Sequence, residues 1–405
     1  MNVRTRTALA ASLALGVTAG PIAASPAFGA APSATSATAS ASHPDAKALR
    51  AAIAGLPDAD ATAALVRVAG TDGSWRGSSG VAEISSGRKA PEQARFRTGS
   101  TTKVFTAAVV LQLAAEHRID LGAPVQGYLP GLLPGHPPIT VRQLLNHTSG
   151  LQEAHDDRTF DEAYQHRFDT VTPRQLVAAS AAKPLEFTPG AQQHYVGVNY
   201  TLLGLLVEKT TGHSYEQQVS QRILRPLGLR QSSFPGADPR IDGPHNHGYQ
   251  AVKRSDGTTE LRDVTMWNVT DVWATGNLIS TTADLERFLN ALFRGQVVPK
   301  VQLEEMFTVP EGIPLFGSDK PAEYSAGLTR FTLRDGTVGW GKSGGLYGYN
   351  TAILADRDLT RTLVYSVNST NARDRDMNNV VRRIITAAFT PGSSGPGSPT
   401  AANNN

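Results

Sequence analysis

Two residues one helical turn apart could generate a nucleophile. Ser100 and Lys103 are separated by three positions, and positions i and i+3 are neighbours on a helix surface. A serine hydroxyl is a weak nucleophile at neutral pH and needs an adjacent base. Burial disfavours the charged form of a lysine, so a buried Lys103 amine could accept the Ser100 proton. The spacing therefore predicts acyl transfer through a serine nucleophile.

The segment after Lys103 predicts a helix that is buried on all sides. Residues 104–115 are apolar at almost every position, which is typical of a helix in the core of a large domain. Ser100 would then lie at the N-terminus of this helix, after Gly99, whose backbone freedom allows a tight entry. A helix N-terminus presents unpaired N–H groups and a partial positive charge, which suit an oxyanion.

The elements that must position this helix come from both ends of the chain. Alternating apolar residues predict strands over 64–69 and 75–84, joined by a hairpin turn at Asp72-Gly73. Further strands are expected over 325–333, 337–342, 351–354 and 360–367, and helices over 46–54, 139–145, 200–210, 281–293 and 374–389. Asn199 is expected to cap the helix that starts at Tyr200. We therefore expect one antiparallel sheet assembled from the two termini, with a helical region between them.

Two later stretches carry further candidates for the same chemistry. Tyr195 precedes a predicted helix on a loop, where a phenol could relay protons if neighbouring cations lower its pKa. The segment 340–345 ends a predicted strand with Lys342, Ser343 and two glycines. Lys342 could bind a substrate carboxylate or assist the tyrosine, and Gly344 and Gly345 would let a ligand lie along the strand edge, with the Gly345 N–H as an oxyanion donor.

The order of these motifs resembles the serine β-lactamase and penicillin-binding protein superfamily. An early Ser-x-x-Lys, a loop tyrosine and a late Lys-Ser-Gly occur in that order, and segments 140–151, 187–190 and 273–285 are also similar to the family pattern. The resemblance extends over nearly all of residues 46–390 and is strongest to secreted D-alanyl-D-alanine carboxypeptidases and class C β-lactamases.

The resemblance implies a fold, a mechanism and a substrate class. The fold would be α+β, an antiparallel sheet flanked by helices plus an all-helical lobe, with the active site between them. Ser100 would attack the carbonyl, Lys103 and Tyr195 would share its proton, Lys342 would assist Tyr195, and the Ser100 and Gly345 amides would hold the oxyanion. Ser343, Gly344, Gly345 and Trp273 would contact the substrate. A D-alanyl-D-alanine carboxypeptidase or D-amino-acid peptidase is expected, without metal or other cofactor, acting on a small-molecule or peptide substrate that ends in a D-amino acid.

The chain departs from the family pattern at two places. The middle motif usually reads tyrosine, any residue, asparagine, but Gly197 stands in the third place. Because that asparagine commonly binds the acyl-side amide, its absence weakens the case for peptidoglycan or penicillin as substrate. The related soluble carboxypeptidases usually have His-Thr-Gly where this chain has Lys342-Ser343-Gly344, a change that concerns specificity.

Several alternatives are open from the sequence. The fold could carry an esterase, a β-lactamase or a catalytically silent binding protein. Residues 341–345 also spell the nucleophile elbow of α/β-hydrolases, which would make Ser343 the nucleophile and requires a following helix. His245 and His247 have no third ligand nearby in sequence, so a polar loop is favoured over a metal site. His147, His155 and His194 are expected to be hydrogen-bonded loop residues.

Composition excludes several other classes of protein. The 405 residues contain no cysteine, which excludes disulfides, thiolate metal sites and a cysteine nucleophile. The formal charge is +3, and without Arg4 and Arg6 only 36 basic residues face 35 acidic ones. No basic run interleaved with aromatic residues is present, so nucleic acid is not an expected partner.

The two ends of the chain are expected to lie outside the folded domain. Residues 1–30 combine Arg4 and Arg6 with an apolar, alanine-rich run and small residues, which predicts a secretory signal peptide. Residues 31–45 predict a disordered leader, residues 46–390 the serine hydrolase domain, and residues 391–405 a flexible tail. We therefore expect a secreted monomer without a stable membrane anchor.

Overall fold

The computed structural model describes residues 43–154, 158–333, 336–374 and 376–390. The predicted signal peptide, the predicted tail and nearly all of the predicted leader lie outside these residues, as does His155. Within the described ranges, no helix is both long enough and apolar enough to cross a bilayer. The signal peptide and the domain boundaries stay predictions.

Strands occur near both ends of the described chain and in its middle. They are β1 (Ala61–Gly70), β2 (Trp75–Glu83), β3 (Arg88–Lys89), β4 (Phe96–Arg97), β5 (Tyr249–Lys253), β6 (Thr259–Asp263), β7 (Ile279–Ser280), β8 (Thr329–Thr332), β9 (Val338–Leu346), β10 (Tyr349–Asp356) and β11 (Arg361–Ser369).

The main sheet joins the two ends of the chain, as expected. Its seven strands have the order β3-β2-β1-β11-β10-β9-β8, with β1 and β11 antiparallel at the centre. Two small pairs, β4 with β7 and β5 with β6, complete the strands. The predicted strands and the turn at Asp72-Gly73 are confirmed, and β9 continues four residues beyond its predicted end at Lys342.

Helices make up the rest of the regular structure. They are α1 (Ala46–Ala52), α2 (Thr102–Ala115), α3 (Val125–Tyr128), α4 (Val141–Leu145), α5 (Phe160–Gln165), α6 (Pro173–Ala181), α7 (Val198–Thr211), α8 (Tyr215–Val219), α9 (Thr282–Phe293), α10 (Lys300–Leu303) and α11 (Asn379–Phe389). Helices α3 to α8 follow one another between β4 and β5 in the chain and form the helical region predicted between the strands.

Two apolar clusters cover the two faces of the sheet. Successive strand residues point to opposite faces, so Leu65 and Val66 in β1 belong to different clusters. The cluster with Val66 holds α1 and α11, which begin and end the described fold. The cluster with Leu65 holds α2, α7 and α9. Helix α2 is buried around nearly its whole circumference, as its composition predicts.

Two predicted helix starts were wrong. Helix α7 begins at Val198 with Gly197 as its N-cap, and Asn199 lies in the first turn, fully buried, where its amide bonds to other side chains. Helix α11 begins at Asn379 instead of Asp374. The Asn378 side chain accepts hydrogen bonds from the Val380 and Val381 N–H groups and thereby fixes this start.

Gly204 allows helix α7 to pack closely against Trp273 and Ala274 in the core. A Cβ at this position would lie 2.6 Å from Cζ3 of Trp273 and 2.7 Å from Cβ of Ala274. Real Cβ atoms do not approach other heavy atoms so closely, so a side chain here would displace the indole. The contact requires glycine because of this spacing, since the backbone of Gly204 is helical.

We expect Gly204→Ala to lower the free energy of unfolding by about 1–3 kcal/mol, the usual cost of overpacking a core. Urea denaturation followed by circular dichroism would measure it. Gly127→Ala is the matched control, because Gly127 also lies in a helix but no other group lies within 4 Å of the place that an added Cβ would take. Equal stability of the two variants would contradict this account of the packing.

Candidate active site

Ser100, the predicted nucleophile, lies in a tight turn that leads into α2. Residues Gly99–Thr101 form one turn of 3-10 helix, and α2 continues from Thr102. Gly99 has φ 52°, in the left-handed region that favours glycine. The Thr102 hydroxyl donates to the Gly99 carbonyl at 2.8 Å and closes the turn. Ser100 is thereby presented at the N-terminal end of the helix, as the sequence predicts.

Lys103 lies beside Ser100 with its amine buried. Its Nζ donates hydrogen bonds to Ser100 Oγ at 3.2 Å and to the Thr275 carbonyl at 3.0 Å. Only 3% of the residue is exposed. Burial lowers the pKa of the Lys103 amine well below its ordinary value, the charge of Lys342 lowers it further, and Glu153 opposes both. The neutral amine can therefore take the serine proton.

Tyr195 completes the polar cluster around the serine. Its ring centroid lies 5.0 Å from Lys103 Nζ and 4.4 Å from Lys342 Nζ. Its buried hydroxyl has no hydrogen-bond partner of ordinary geometry among the described residues. Burial raises the pKa of the Tyr195 phenol above its ordinary value, although the nearby Ser100 hydroxyl lowers it in part. The condition named in the sequence analysis, a pKa lowered by neighbouring cations, is not met, so the phenol is neutral and can donate a proton.

Lys342 enters the same site from the opposite end of the chain. It lies in β9, 6% exposed, and burial lowers the pKa of its amine to about 7. A residue with this pKa is partly charged at neutral pH. Its position against the Tyr195 ring places this variable charge next to the proton donor.

Glycines allow β9 to pass directly over the serine turn. A Cβ at Gly344 would lie 2.0 Å from the Thr98 carbonyl oxygen and 2.9 Å from the Ser100 nitrogen. A Cβ at Gly99 would lie 2.8 Å from the Gly345 nitrogen. Gly344 is buried in this contact and does not line the cleft, so its role differs from the predicted one of accommodating a ligand.

The strand edge that faces the serine is open to a ligand. Strand β8 pairs with β9 only from Val338 to Gly341, and beyond that point Ser343 and Gly345 line the cleft together with Ser100. The Ser100 and Gly345 backbone N–H groups therefore belong to two segments that meet at the nucleophile. This arrangement suits a two-donor oxyanion hole.

The structure does not bring Trp273 into the cleft. The indole is 9% exposed, packs against Gly204 and the Tyr215 ring, and donates from Nε1 to the Glu216 carboxylate at 2.6 Å. Its neighbours Val272 and Thr275 line the cleft instead. The predicted substrate contact of Trp273 is therefore replaced by a packing role, because the indole faces the helical region.

Glu153 is a cleft residue that sequence analysis missed. Its side chain lines the cleft, and its Oε2 accepts a hydrogen bond from the Gly197 N–H. A Cβ at Gly197 would lie 2.9 Å from this oxygen, so the glycine leaves room for the carboxylate. The sequence signal was the departure from the family pattern at Gly197. It could not indicate which distant residue fills the space.

The cleft is lined by both apolar and polar residues. It has a volume of about 260 Å³. Its apolar side comes from the helical region and includes Ala154, Ala163, Val171, Leu176 and Val198. Its polar and charged lining residues include Arg158, Asp271, Arg373 and Asp374.

The structure bears on the alternative role of Ser343 and on the histidines named in the sequence analysis. A nucleophile elbow at Ser343 is excluded, because β9 runs through Ser343 to Leu346 and the next element of the described chain is strand β10, where the elbow needs a helix. His245 and His247 stack at 5.5 Å between ring centroids, and His247 Nδ1 lies 2.7 Å from the Asp263 carboxylate. His147 and His194 are hydrogen-bonded loop residues, as expected.

Comparison with known proteins agrees with this geometry. The Beta-lactamase family matches residues 25–387. The chain belongs to this family. The resemblance inferred from the motifs and the α+β fold expected from it are therefore confirmed, and the chain is a serine hydrolase of the β-lactamase fold.

Individual relatives show how the fold is used elsewhere. A D-stereospecific amidohydrolase from Streptomyces sp. is 34% identical, with a TM-score of 0.75 over 86% of this chain and 100% of that one. The D-amino acid amidase of Ochrobactrum anthropi SV3 shares the fold, at 23% identity and a TM-score of 0.69 over 84% of this chain and 97% of that one. Esterase EstB of Burkholderia gladioli is 32% identical over 45% of this chain and 50% of its own length. The chain spans about half the length, or less, of the first curated relatives it matches.

We expect Ser100→Ala to abolish both substrate turnover and covalent labelling by a fluorophosphonate, because the attacking oxygen is removed. Ser343→Ala should remain labelled, since Ser343 lines the cleft only as a neighbour of the reacting group. Intact mass spectrometry after incubation measures the adduct. Labelling that survives in Ser100→Ala and disappears in Ser343→Ala would contradict the assignment.

The activity of the wild type should fall as the pH rises through about 7, the pKa of the Lys342 amine, if its positive charge assists Tyr195. A lysine with a lowered pKa is charged below that pKa and neutral above it. Lys342→Arg should move this decline in kcat/KM to higher pH, because arginine stays charged. The exposed Lys300 provides the control variant Lys300→Arg. An unchanged decline in Lys342→Arg would show that another group titrates.

Proposed function

We propose that this chain hydrolyses amides or short peptides whose acyl residue is a D-amino acid with a free amino group. It would thus act as a D-amino-acid amidase or D-aminopeptidase. The observation that carries the proposal is the Glu153 carboxylate in the cleft, bound to the Gly197 N–H where the family motif usually has asparagine.

The location of Glu153 supports recognition of a cation. Its charge acts on both the Lys103 amine and the Tyr195 phenol, so the carboxylate lies within electrostatic range of the catalytic cluster. Lys183 donates to the Glu153 carbonyl at 2.6 Å and holds this segment in place. A substrate ammonium can form a charge-assisted hydrogen bond to the carboxylate. An N-acylated substrate has no such charge to offer.

The substitution at Gly197 supports the same conclusion. An asparagine side chain could both donate to and accept from a substrate amide. An ionised carboxylate only accepts hydrogen bonds. The exchange of one group for the other therefore favours a free amine over the acylated amine of a penicillin or a cell-wall stem peptide.

The cleft walls support an apolar acyl side chain. Ala154, Ala163, Leu176 and Val198 are buried residues on the side of the cleft that also carries Glu153. A side chain that enters there would gain about 25 cal/mol for each Å² of apolar surface removed from water. The D configuration is supported by the 34% identical Streptomyces protein, which is described as a D-stereospecific amidohydrolase.

The geometry supports a two-step acyl transfer. Ser100 Oγ forms a bond to the carbonyl carbon while its proton passes to the Lys103 amine, and the Ser100 and Gly345 N–H groups stabilise the oxyanion. The amide C–N bond then breaks, and the leaving nitrogen takes a proton from Tyr195, which is restored from Lys103. Water then attacks the acyl carbon and gives its proton to Tyr195 as the phenol proton passes to Lys103. The bond to Ser100 Oγ breaks, Lys103 returns the proton to the serine, and the free amino acid is released.

Carboxypeptidase action on a D-alanyl-D-alanine terminus is a second candidate. It is favoured by Lys342 next to Ser343, because a cation beside a hydroxyl can bind the terminal carboxylate of a peptide. Glu153 counts against it, since the acyl side of such a peptide carries an amide. Esterase action on simple esters is compatible with the same acyl transfer. Export from the cytoplasm is proposed from residues 1–30 alone.

We expect Glu153→Gln to lower kcat/KM for a D-amino acid amide by about 10- to 100-fold, because a hydrogen bond to a charged group contributes about 1.5–3 kcal/mol. The rate with the N-acetylated form of the same amide should change by less than about threefold. Steady-state kinetics with both substrates, and with the L-enantiomer as a stereochemical control, measures this.

The amidase or aminopeptidase proposal and the carboxypeptidase alternative predict opposite substrate preferences. A wild-type enzyme that prefers the N-acetylated amide, or that cleaves an N-acylated D-alanyl-D-alanine peptide faster than any free-amine substrate, would overturn the aminopeptidase proposal. If Glu153→Gln lowers the rates with the free-amine amide and with its N-acetylated form to the same extent, the carboxylate stabilises the structure of the site and does not bind the substrate amine.

A further inference from the structure

His147 contacts the backbone on both sides of Tyr195. The His194 N–H donates to the His147 carbonyl at 2.9 Å, and the Val196 N–H donates to His147 Nδ1 at 3.4 Å. The imidazole also lies against the phenol, with 4.5 Å between the ring centroids. The residue before Tyr195, the residue after it and the phenol itself therefore all contact one histidine, which comes from a turn about fifty positions earlier in the chain.

A chain of hydrogen bonds fixes which ring nitrogen of His147 accepts. The Ser149 hydroxyl donates to Asn199 Oδ1 at 2.7 Å, so the amide of Asn199 turns its Nδ2 towards His147. Nδ2 lies 3.2 Å from His147 Nδ1 and can only donate. Nδ1 thus receives two N–H donors and must carry a lone pair, which places the ring proton on Nε2.

The surroundings keep this lone pair available. His147 is 3% exposed, and burial lowers the pKa of its imidazole well below the ordinary value, with further lowering by Lys103, Lys342 and His194 that outweighs an opposing effect of the Val196 backbone. A protonated ring would carry a hydrogen on both nitrogens and would lose its acceptor for Val196. The hydrogen bond to the tyrosine loop therefore persists near pH 7, where Lys342 titrates.

The backbone of His147 is in a conformation that few residues adopt. Its φ is 60°, in the left-handed region, which asparagine tolerates better than most other residues that have a Cβ. This conformation directs the ring and the carbonyl of the same residue to one loop. Asparagine is also the side chain whose amide can occupy the position of Nδ1, whereas the glutamine amide reaches the position of Nε2.

We infer that His147 is a positioning residue for Tyr195, holding the phenol at its working distance from Ser100 and the two lysines. The inference rests on the role given to Tyr195 in the proposed function, but it does not depend on the natural substrate. Neither ring nitrogen needs to exchange a proton with the substrate. The contribution of His147 is the geometry of the loop, which the phenol alone cannot maintain because its hydroxyl lacks a hydrogen bond of ordinary geometry among the described residues.

The test measures the rate at which a fluorophosphonate labels Ser100. In that reaction the serine oxygen bonds to phosphorus, the serine proton passes to Lys103, and fluoride leaves with a proton from Tyr195, which is restored from Lys103. We expect His147→Ala to slow labelling by about 10- to 100-fold, the cost of a misplacement near 1 Å. His147→Asn should return the rate to within about threefold of wild type, and His147→Gln should not, because only asparagine can accept from the Val196 N–H.

A double-mutant cycle separates positioning from general destabilisation. In the Tyr195→Phe background, His147→Ala should cause no further loss of labelling rate, because residues that act as a unit are not additive. Thermal unfolding of each variant gives the folded fraction to which the rates are referred. Equal rates for His147→Asn and His147→Gln, or additive losses in the cycle, would overturn the inference. If the wild type is labelled but hydrolyses no D-amino acid amide, the proposed substrate is refuted and the inference about His147 still stands.

Discussion

The chemistry of this protein depends on the burial of one amine. Lys103 has hydrogen bonds to Ser100 and to the Thr275 carbonyl, and neither partner carries a charge that would hold its proton. The cost of burying an ammonium is relieved when the amine becomes neutral, and a neutral amine is the base that the serine needs. The apolar helix α2 is thus part of the catalytic apparatus, since it carries Lys103 into a region from which water is excluded.

A second constraint is the set of contacts that joins β9 and β10, near the C-terminal end of the described chain, to the turn that holds Ser100. The Thr351 hydroxyl donates to the Thr98 carbonyl at 2.7 Å, and the Thr101 hydroxyl donates to the Lys342 carbonyl at 3.3 Å. These bonds and the contact of Gly344 with the serine turn place β9 and β10 directly on the start of α2. An oxyanion site with donors from Ser100 and Gly345 can form only if the sheet has assembled from both termini, so folding and catalytic competence are coupled.

The features of the fold and site that could be predicted from the sequence are those formed by residues close together in the chain. The Ser100–Lys103 pair follows from helix geometry, and the strands near both ends follow from their alternation. Tyr195 and Lys342 were located by their resemblance to family motifs, because they meet Ser100 across about 95 and about 240 positions of the chain, which no local pattern can show. Trp273 was misassigned because a motif gives the place of a residue and not the direction of its ring. The direction of the Tyr195 pKa could not be predicted, because burial raises it and burial cannot be obtained from a single loop sequence.

The replacement at Gly197 shows why a lost motif residue need not mean a lost function. A glycine in the place of that asparagine leaves extra volume, and an unpartnered backbone N–H or an empty volume in a buried site costs free energy. Here Glu153 fills the volume and accepts from the N–H. The two changes compensate structurally, but they differ in charge, and a charge in a low-dielectric cleft acts on every species that binds there. In the proposed function, this charge selects which acyl group the cleft accepts, while Ser100, Lys103 and Tyr195 carry out the same acyl transfer.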